Sequence, residues 1–217
     1  MVERVSGQSL GSFMDENMLK PLGMNSTSFT LRPDILSRRA DMAVRTADGG
    51  VAPSPTRLFS DNAPDHHGGA GVFSCAADYA TLLAAVLKND GTLLKPATMD
   101  DLFQPCLPPG AITALRDNRR AQYKTFRESK PGSAAELQVT QPEEMNYSLG
   151  GQISEHPWQN GRKAGSMSWG GLPNLSWVLD REAGVALLFC AQILPPSDTW
   201  VRAAFERFEF AVYRKEI

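Results

Sequence analysis

The feature that most constrains the fold is a pair of apolar, strand-like runs near the carboxyl end of the chain. The runs Leu175 to Leu179 and Val185 to Ile193 are joined by the charged turn "DREAG", and a third run covers Tyr147 to Ile153. Short apolar runs bounded by turn residues predict buried strands, and so short a connection joins antiparallel neighbours. The segment "KAGSMSWGG" is typical of a further strand that ends in a glycine-rich corner. We therefore predict an antiparallel sheet in the carboxyl-terminal half.

Helical periodicity is found before this sheet and directly after it. The spacing predicts a helix over 10–19 that stops at "KPLGM", a helix capped by Ser74 and ended by "NDG", and a shorter helix after Pro96. A carboxyl-terminal helix after "PPSDTW" carries an apolar stripe of Trp200, Ala203, Ala204, Phe208, Ala211 and Val212. We expect this helix to lie on the sheet and to hide Trp200 and Phe208. The order of the elements predicts an α+β fold.

The length and composition predict one globular domain over residues 1–217. The chain is 42% hydrophobic and 21% charged, which is enough to build a core. Residues 30–67 are polar and rich in proline, which predicts short strands and long surface loops. Residues 110–145 combine many charges with little periodicity, and we predict an insertion loop with short helices there.

Charge and hydropathy exclude several classes of partner. The net charge is −2, and no basic cluster extends beyond Arg116, Arg119 and Arg120, so binding to nucleic acid or to an anionic membrane is not expected. The longest apolar run is too short to span a bilayer, and "MVERVSGQSL" lacks the features of a secretory signal, so a cytoplasmic location is expected. The cysteines are far apart and lack C-x-x-C spacing, which favours three reduced thiols: Cys75, Cys106 and Cys190.

Three stretches resemble the serine β-lactamase-like enzymes, a family that includes penicillin-binding proteins, esterases and transesterases. The stretches are "VSGQSLGSFMDENMLKPLGMNSTSF", "GGAGVFSCAADYATLLAAVLKNDGTLL" and "SMSWGGLPNLSWVLDREAGVALLFCAQILPP". The Trp-Gly-Gly string and "LPNLSWVLD" most resemble fungal polyketide transesterases of the lovastatin acyltransferase kind. The resemblance implies a β-lactamase/transpeptidase-like α+β fold of which this chain is the carboxyl-terminal part. It also implies acyl transfer or ester hydrolysis through an acyl-serine.

The resemblance assigns a binding strand to this chain. Enzymes of this family use S-x-x-K, a Y-x-N or S-D-N motif, and K-T-G on a strand. The hairpin places Trp169-Gly170-Gly171 at the K-T-G position, and the N–H of Leu172 would then complete an oxyanion hole. An alternative register would place Lys163-Ala164-Gly165 there, but it displaces the hairpin. Without the resemblance, the same string would be a glycine-rich turn with a core tryptophan.

The other two motifs have no counterpart at the expected places. No serine in the chain is followed three residues later by lysine. Ser60-Asp61-Asn62 spells S-D-N, but it follows the "PLGM" turn, whereas the family's motif should precede "VSGQ", so we interpret it as a turn. We therefore assign no catalytic nucleophile or base here and expect both upstream of Met1. Two hypotheses follow: a portion of an acyl-transferring enzyme, or a non-catalytic remnant that binds small molecules.

Other candidate residues have ordinary structural explanations. His66 and His67 are adjacent and have no further ligand at metal-binding spacing, so no metal site is predicted. His156 is typical of a surface hairpin, with general-base catalysis as the alternative. Tyr147 fits the core, cross-strand packing or the wall of a substrate pocket, and the strand pattern favours packing. Cys75 lies near a predicted helix start, where a thiolate is stabilised, but no adjacent base is visible. No cofactor is expected, and the expected partners are a small-molecule acyl donor and acceptor.

The expected missing strands lead to a prediction about stability. In the family, strands from the amino-terminal part pair with the sheet edge, so their absence exposes an apolar face and an unpaired edge. We expect the purified chain to bind a hydrophobic dye and to aggregate. Size-exclusion chromatography and thermal unfolding test this, and a monodisperse monomer with a cooperative transition would contradict it.

Overall fold

The computed structural model describes residues 1–61, 63–128 and 145–216. Asn62 of the S-D-N string and the second half of the predicted loop over 110–145 lie outside these ranges. Within them the helices are α1 Val2–Ser6, α2 Leu10–Met14, α3 Lys20–Leu22, α4 Pro33–Leu36, α5 Ala76–Lys88, α6 Pro96–Asp101, α7 Pro109–Glu128 and α8 Thr199–Arg214. A π-helical segment, Asp15–Leu19, joins α2 to α3. No helix in the described part of the chain has the length and apolar character needed to cross a membrane.

The strands of the described ranges form two sheets. They are β1 Ala43–Arg45, β2 Val51–Pro53, β3 Met145–Tyr147, β4 Gln152–Ser154, β5 Met167–Gly171, β6 Leu175–Asp180, β7 Val185–Phe189 and β8 Ile193–Leu194. The larger sheet has the order β3-β4-β5-β6-β7 with antiparallel pairing throughout, and the smaller one has the order β2-β1-β8. The predicted α+β class and the antiparallel hairpin across "DREAG" are confirmed.

Two predicted strands are shorter than expected. The run Tyr147 to Ile153 is a tight hairpin, because the Ser148 hydroxyl accepts hydrogen bonds from the N–H groups of Gly150 and Gly151, both at 3.2 Å. The run that began at Val185 ends at Phe189, and Ile193 belongs to β8 in the other sheet. A tight turn interrupts the first run, and three irregular residues, 190–192, interrupt the second.

The local structure predicted for the first part of the segment 110–145 is wrong. Instead of a loop with short helices, residues 109–128 form one helix with Pro109 as its first residue. The Arg116 guanidinium binds the Glu155 carboxylate, which anchors α7 beside the sheet. Charged residues interrupted the apolar periodicity, so the sequence pattern did not reveal this helix. Whether the segment is an insertion stays a prediction.

The predicted carboxyl-terminal ends of the helices agree with the structure better than the predicted amino-terminal cap does. Gly23, at φ +67°, ends α3, and Asn89, at φ +50°, ends α5. Ser74 does not cap α5, since its hydroxyl lies 2.7 Å from the Thr27 hydroxyl and Cys75 occupies the cap position. A helix end often requires a residue in the left-handed conformation, which few residues adopt, so the sequence reveals it. A serine hydroxyl can hydrogen-bond several different groups, so the sequence does not reveal which one it contacts.

The sheet buries both of its faces. One face packs on α5 and on the segment that follows α6 through Ile153, Met167 and Leu179, which form a cluster with Leu83 and Phe103. On the other face lies α8, whose Phe205 and Phe208 rings are 5.7 and 6.1 Å from that of Phe189. The expected position of α8 is thus confirmed. Its expected stripe is partly wrong, because Trp200 is 51% exposed and the buried position is its neighbour Val201.

Charged groups fasten α8 to the rest of the molecule. At its start, Asp198 accepts a hydrogen bond from Val201 N–H at 2.9 Å and a bidentate pair from Arg45 at 2.8 and 2.9 Å. Burial acts to raise the pKa of Asp198, but these hydrogen bonds hold it below its ordinary value. Near its end, Tyr213 donates a hydrogen bond to Asp180 at 2.8 Å. Burial and the Asp180 carboxylate raise the pKa of Tyr213, so the phenol remains a donor.

The middle of α8 carries a buried ion pair. Arg162 and Glu209 are each only 2% exposed, and the Arg162 Nε lies 2.6 Å from the Glu209 Oε1. The Arg162 guanidinium also stacks over the Trp158 ring at 3.6 Å. Together these contacts tie the loop before β5 to α8.

Replacing Glu209 with alanine should strongly destabilise the fold. Arg162 would remain buried without its counter-charge, and breaking a buried pair in this way costs about 3–5 kcal/mol. The urea midpoint measures the loss, and Asp34→Ala is the control because its pair with Arg32 is exposed. Equal midpoints for the two variants would show that the buried pair contributes little.

Candidate functional site

The candidate site is the edge of β5 that β4 leaves uncovered. β4 pairs with β5 only at Met167 and Ser168, whereas β6 pairs with β5 along its whole length. Within the described ranges, no strand lies beside Trp169, Gly170 and Gly171 on the β4 side. Alternate N–H and C=O groups of a strand point away from its partner, so this edge presents unpaired backbone groups.

The loop that follows this edge is held by one side chain. Asn174 adopts φ +61°, and its N–H donates to the Gly171 carbonyl at 3.0 Å, which closes the β5–β6 turn. Its side-chain amide donates to the carbonyls of Ile193 at 2.7 Å and Pro195 at 2.8 Å, and accepts from the Asp198 N–H at 3.0 Å. Every polar atom of the Asn174 amide therefore fixes the loop that contains Leu172. The sequence signal was "LPN", a turn string that the prediction did not single out.

Glycine is required at Gly170 by close backbone approach. A Cβ atom at this position would lie 2.9 Å from the Leu175 carbonyl oxygen, a distance that real Cβ contacts do not show. At Gly171 a Cβ atom would lie 3.3 Å from the Leu175 side chain. The two glycines thus allow β5 and β6 to close tightly and leave the free edge without side chains.

Aromatic rings surround the uncovered edge. Trp169 is 47% exposed, and the Tyr147 ring meets it edge-on at a centroid distance of 5.6 Å. The Tyr147 hydroxyl accepts a hydrogen bond from Gln152 Nε2 at 3.0 Å. On the neighbouring strand, Trp177 pairs with Trp169. Tyr147 therefore packs against Trp169, as the strand pattern favoured, and also lies in the wall of the adjoining cavity.

A cavity of about 440 Å³ lies along this edge and beneath α8. Its wall includes three of the four predicted site residues, Trp169, Gly170 and Gly171, and does not include Leu172. The rest of the wall combines aromatic and charged side chains, among them Tyr147, Trp158, Trp177, Arg119, Arg162, Arg202, Glu206 and Glu209. Its volume is in the range of small-molecule sites. The arginines come from three separate segments, so their convergence could not be read from the sequence.

The competing candidates lie elsewhere. Lys163-Ala164-Gly165 forms the turn before β5, where Gly165 has φ +76° and the Lys163 N–H donates to Asp180 at 2.8 Å. His66 stacks on the Phe29 ring at 4.3 Å, and His156 is exposed. Among the described residues, no group of three His, Cys, Asp or Glu side chains could hold a metal ion.

Comparison with known proteins gives consistent matches. A family model described as Beta-lactamase matches residues 1–211. Monacolin J acid methylbutanoyltransferase of Aspergillus terreus is 34% identical over 98% of this chain and 51% of its own length. Lovastatin esterase of Penicillium rubens is 29% identical over 99% of this chain and 53% of its own length. The chain therefore spans about half the length of the curated relatives it matches.

The structural comparison agrees with the sequence comparison. An unliganded simvastatin synthase from Aspergillus terreus superposes with a TM-score of 0.83 at 33% identity. The match covers 99% of this chain and 52% of that structure. A hydrolase with promiscuous acyltransferase activity, EstCE1, has a TM-score of 0.68 at 20% identity, which shows a shared fold.

Substituting Gly170 with alanine should disturb the site and lower stability. The added Cβ would force β5 away from the Leu175 carbonyl, and overpacking of this kind costs about 1–3 kcal/mol. Thermal unfolding measures the loss. Gly110→Ala is the matched control, since a Cβ there meets nothing within 4 Å and lies in a helix. Equal stability of the two variants would show that the close approach at Gly170 is unimportant.

Proposed function

Because this chain belongs to the beta-lactamase family, we propose that it carries the substrate-binding strand of an enzyme that transfers acyl groups between small molecules in secondary metabolism. The relatives' names include a methylbutanoyltransferase and an esterase. The first name describes transfer of an acyl group to an acceptor such as an alcohol, and the second describes transfer of an acyl group to water. The two outcomes share one type of intermediate and differ in the acceptor that reaches it. No metal or cofactor is needed for this chemistry.

The observation that carries the proposal is the uncovered edge of β5 in the wall of the cavity. Acyl transfer develops negative charge on the carbonyl oxygen of the substrate, and a rigid backbone N–H directed at that oxygen stabilises the transition state. We assign this donor to the Leu172 N–H, which follows the free edge. The loop is kept rigid by the hydrogen bonds of Asn174, so the donor requires little reorganisation during the reaction.

The remaining wall suggests how the substrate lies. Trp169, Trp177 and Tyr147 offer apolar surface for a short branched acyl chain. The glycines beside them let the acyl carbonyl approach the backbone closely. No residue of these 217 is assigned as the nucleophile or its base. We assign those roles to a part of the enzyme that this sequence does not contain.

A second candidate function is binding of small molecules without catalysis. It is favoured by one observation, the lack of any serine followed three residues later by lysine in these 217 residues. The cavity and its aromatic wall would serve this function equally well.

Binding of an acyl ester should be visible in tryptophan fluorescence. Trp158, Trp169 and Trp177 line the cavity, whereas Trp200 does not, so a methyl ester of 2-methylbutanoic acid should change the emission on binding. We expect Trp169→Ala to weaken binding about tenfold, the equivalent of roughly 1.4 kcal/mol of lost aromatic contact. Trp200→Ala is the control and should bind as the unsubstituted chain does. Failure of the unsubstituted chain to bind any acyl ester would contradict both candidate functions.

Reading the native transcript through to its 5′ end separates the two functions. An open reading frame that continues upstream into S-x-x-K and Y-x-N supports the acyl-transfer proposal, whereas a start at Met1 favours binding alone. The purified chain should release no p-nitrophenol from a p-nitrophenyl ester in a serine-dependent manner. Turnover that a serine-directed phosphonate abolishes would show that a nucleophile is present after all.

A further inference from the structure

The direction in which α5 crosses the sheet brings two cysteines to the same end. The Tyr79 side chain, one turn into α5, and the Trp177 ring pack against the same core cluster, and Trp177 pairs with Leu188 near the end of β7. Further along α5, Leu83 packs against Leu179, which pairs with Ala186 nearer the start of β7. The helix therefore begins where β7 ends. Cys75 directly precedes α5, and Cys190 directly follows β7.

The two side chains also belong to the same face of the sheet. Phe189 contacts the rings of α8, so it points to the α8 face. Residues alternate between faces along a strand, which places Leu188 on the opposite face, toward α5. The same alternation, continued one residue past the end of β7, gives Cys190 this side as well. Cys75 lies four residues before Tyr79, which is one helical turn and the same side of the helix. The thiols also interact electrostatically, since burial and then Cys75 raise the pKa of the Cys190 thiol.

We infer that Cys75 and Cys190 are a modification site: a dithiol that oxidises to an intramolecular disulfide and joins the start of α5 to the end of β7. Both residues are accessible to a reagent, because Cys75 is partly exposed and Cys190 is exposed. The three cysteines are free thiols in this structure, so the disulfide belongs to a second, oxidised state. The third cysteine, Cys106, is exposed but lies between α6 and α7, away from this pair.

The chemistry is thiol–disulfide exchange with a small disulfide such as oxidised glutathione. A thiolate attacks one glutathione sulfur, an S–S bond forms to the protein, and one glutathione thiol leaves. The second protein thiolate then attacks the protein sulfur of this mixed disulfide, and the second glutathione leaves with the remaining electron pair. Two protein thiols are oxidised and one glutathione disulfide is reduced. We assign the first attack to Cys75, because the raised pKa of Cys190 lowers its thiolate fraction.

The link would act on the wall of the cavity through two side chains. Tyr79 follows Cys75 by one turn and packs against the same core cluster as Trp177, which lines the cavity. Fixing the start of α5 would hold Tyr79 beneath that ring. The disulfide itself does not depend on the proposed function, because it needs only the two thiols and their positions.

The experiment treats the reduced, folded chain with oxidised glutathione and measures intact mass and the linked peptides. The unsubstituted chain should yield one linked pair of peptides, those containing Cys75 and Cys190, and this pair should have lost two hydrogens. The matched control, Cys106→Ser, should behave identically. Cys75→Ser and Cys190→Ser should lose the internal link and should instead retain a glutathione adduct on the remaining partner.

Two results would overturn the inference. One is a linked peptide that contains Cys106, and the other is a folded chain that gains glutathione adducts without any internal link. Near-ultraviolet circular dichroism verifies that each sample remains folded during the reaction. The peptide map of the unsubstituted chain decides between these results and the expected one, so the test holds even if a serine variant fails to fold.

Discussion

The buried ion pair between Arg162 and Glu209 is the interaction on which the arrangement of the site depends. It joins the segment that enters β5 to the middle of α8, and both side chains also line the cavity. A charge pair this deep is stable only when both partners are in place, because either charge alone would be left without water or a counter-charge. The distance between α8 and the sheet, and with it the space beneath the helix, therefore depends on a contact that the hydrophobic pattern does not encode. The Asp180–Tyr213 and Arg45–Asp198 contacts fasten the two ends of the same helix.

The site itself arises from incomplete coverage. β4 is three residues long and leaves β5 before Trp169, while the glycines at the end of β5 prevent side chains from filling the gap. An open edge is usually a liability for a protein, because it can pair with another chain. Here aromatic rings and the rigid Asn174 loop surround it, which makes backbone groups available to a ligand. This combination is what the proposed acyl-transfer chemistry requires, and it is also the reason why simple binding remains its competitor.

Particular residues show where sequence patterns succeeded and where they failed. The stop at Asn89 and the "DREAG" turn were predictable because they depend on backbone conformations that few residues adopt. The helix over 109–128 was missed because its charged side chains break the periodicity, although Arg116 finds a partner on the sheet. Trp200 was expected to be buried because hydropathy identifies apolar residues. It does not show which of two adjacent apolar residues faces the core. Val201 takes the buried position instead.

The sequence by itself determined the class of the fold, the antiparallel hairpin, the stops of α3 and α5 and the glycine string at the edge of β5. These features follow from local conformational preferences and from periodicity, both of which act within a few residues. Only the tertiary structure decided that arginines from three segments and the Asn174 side chain meet at the cavity. It also decided that two cysteines 115 positions apart in the chain come to the same end of the sheet. Such contacts depend on the direction in which helices cross the sheet and on where a neighbouring strand ends. Those are properties of packing between distant segments, and no single segment encodes them.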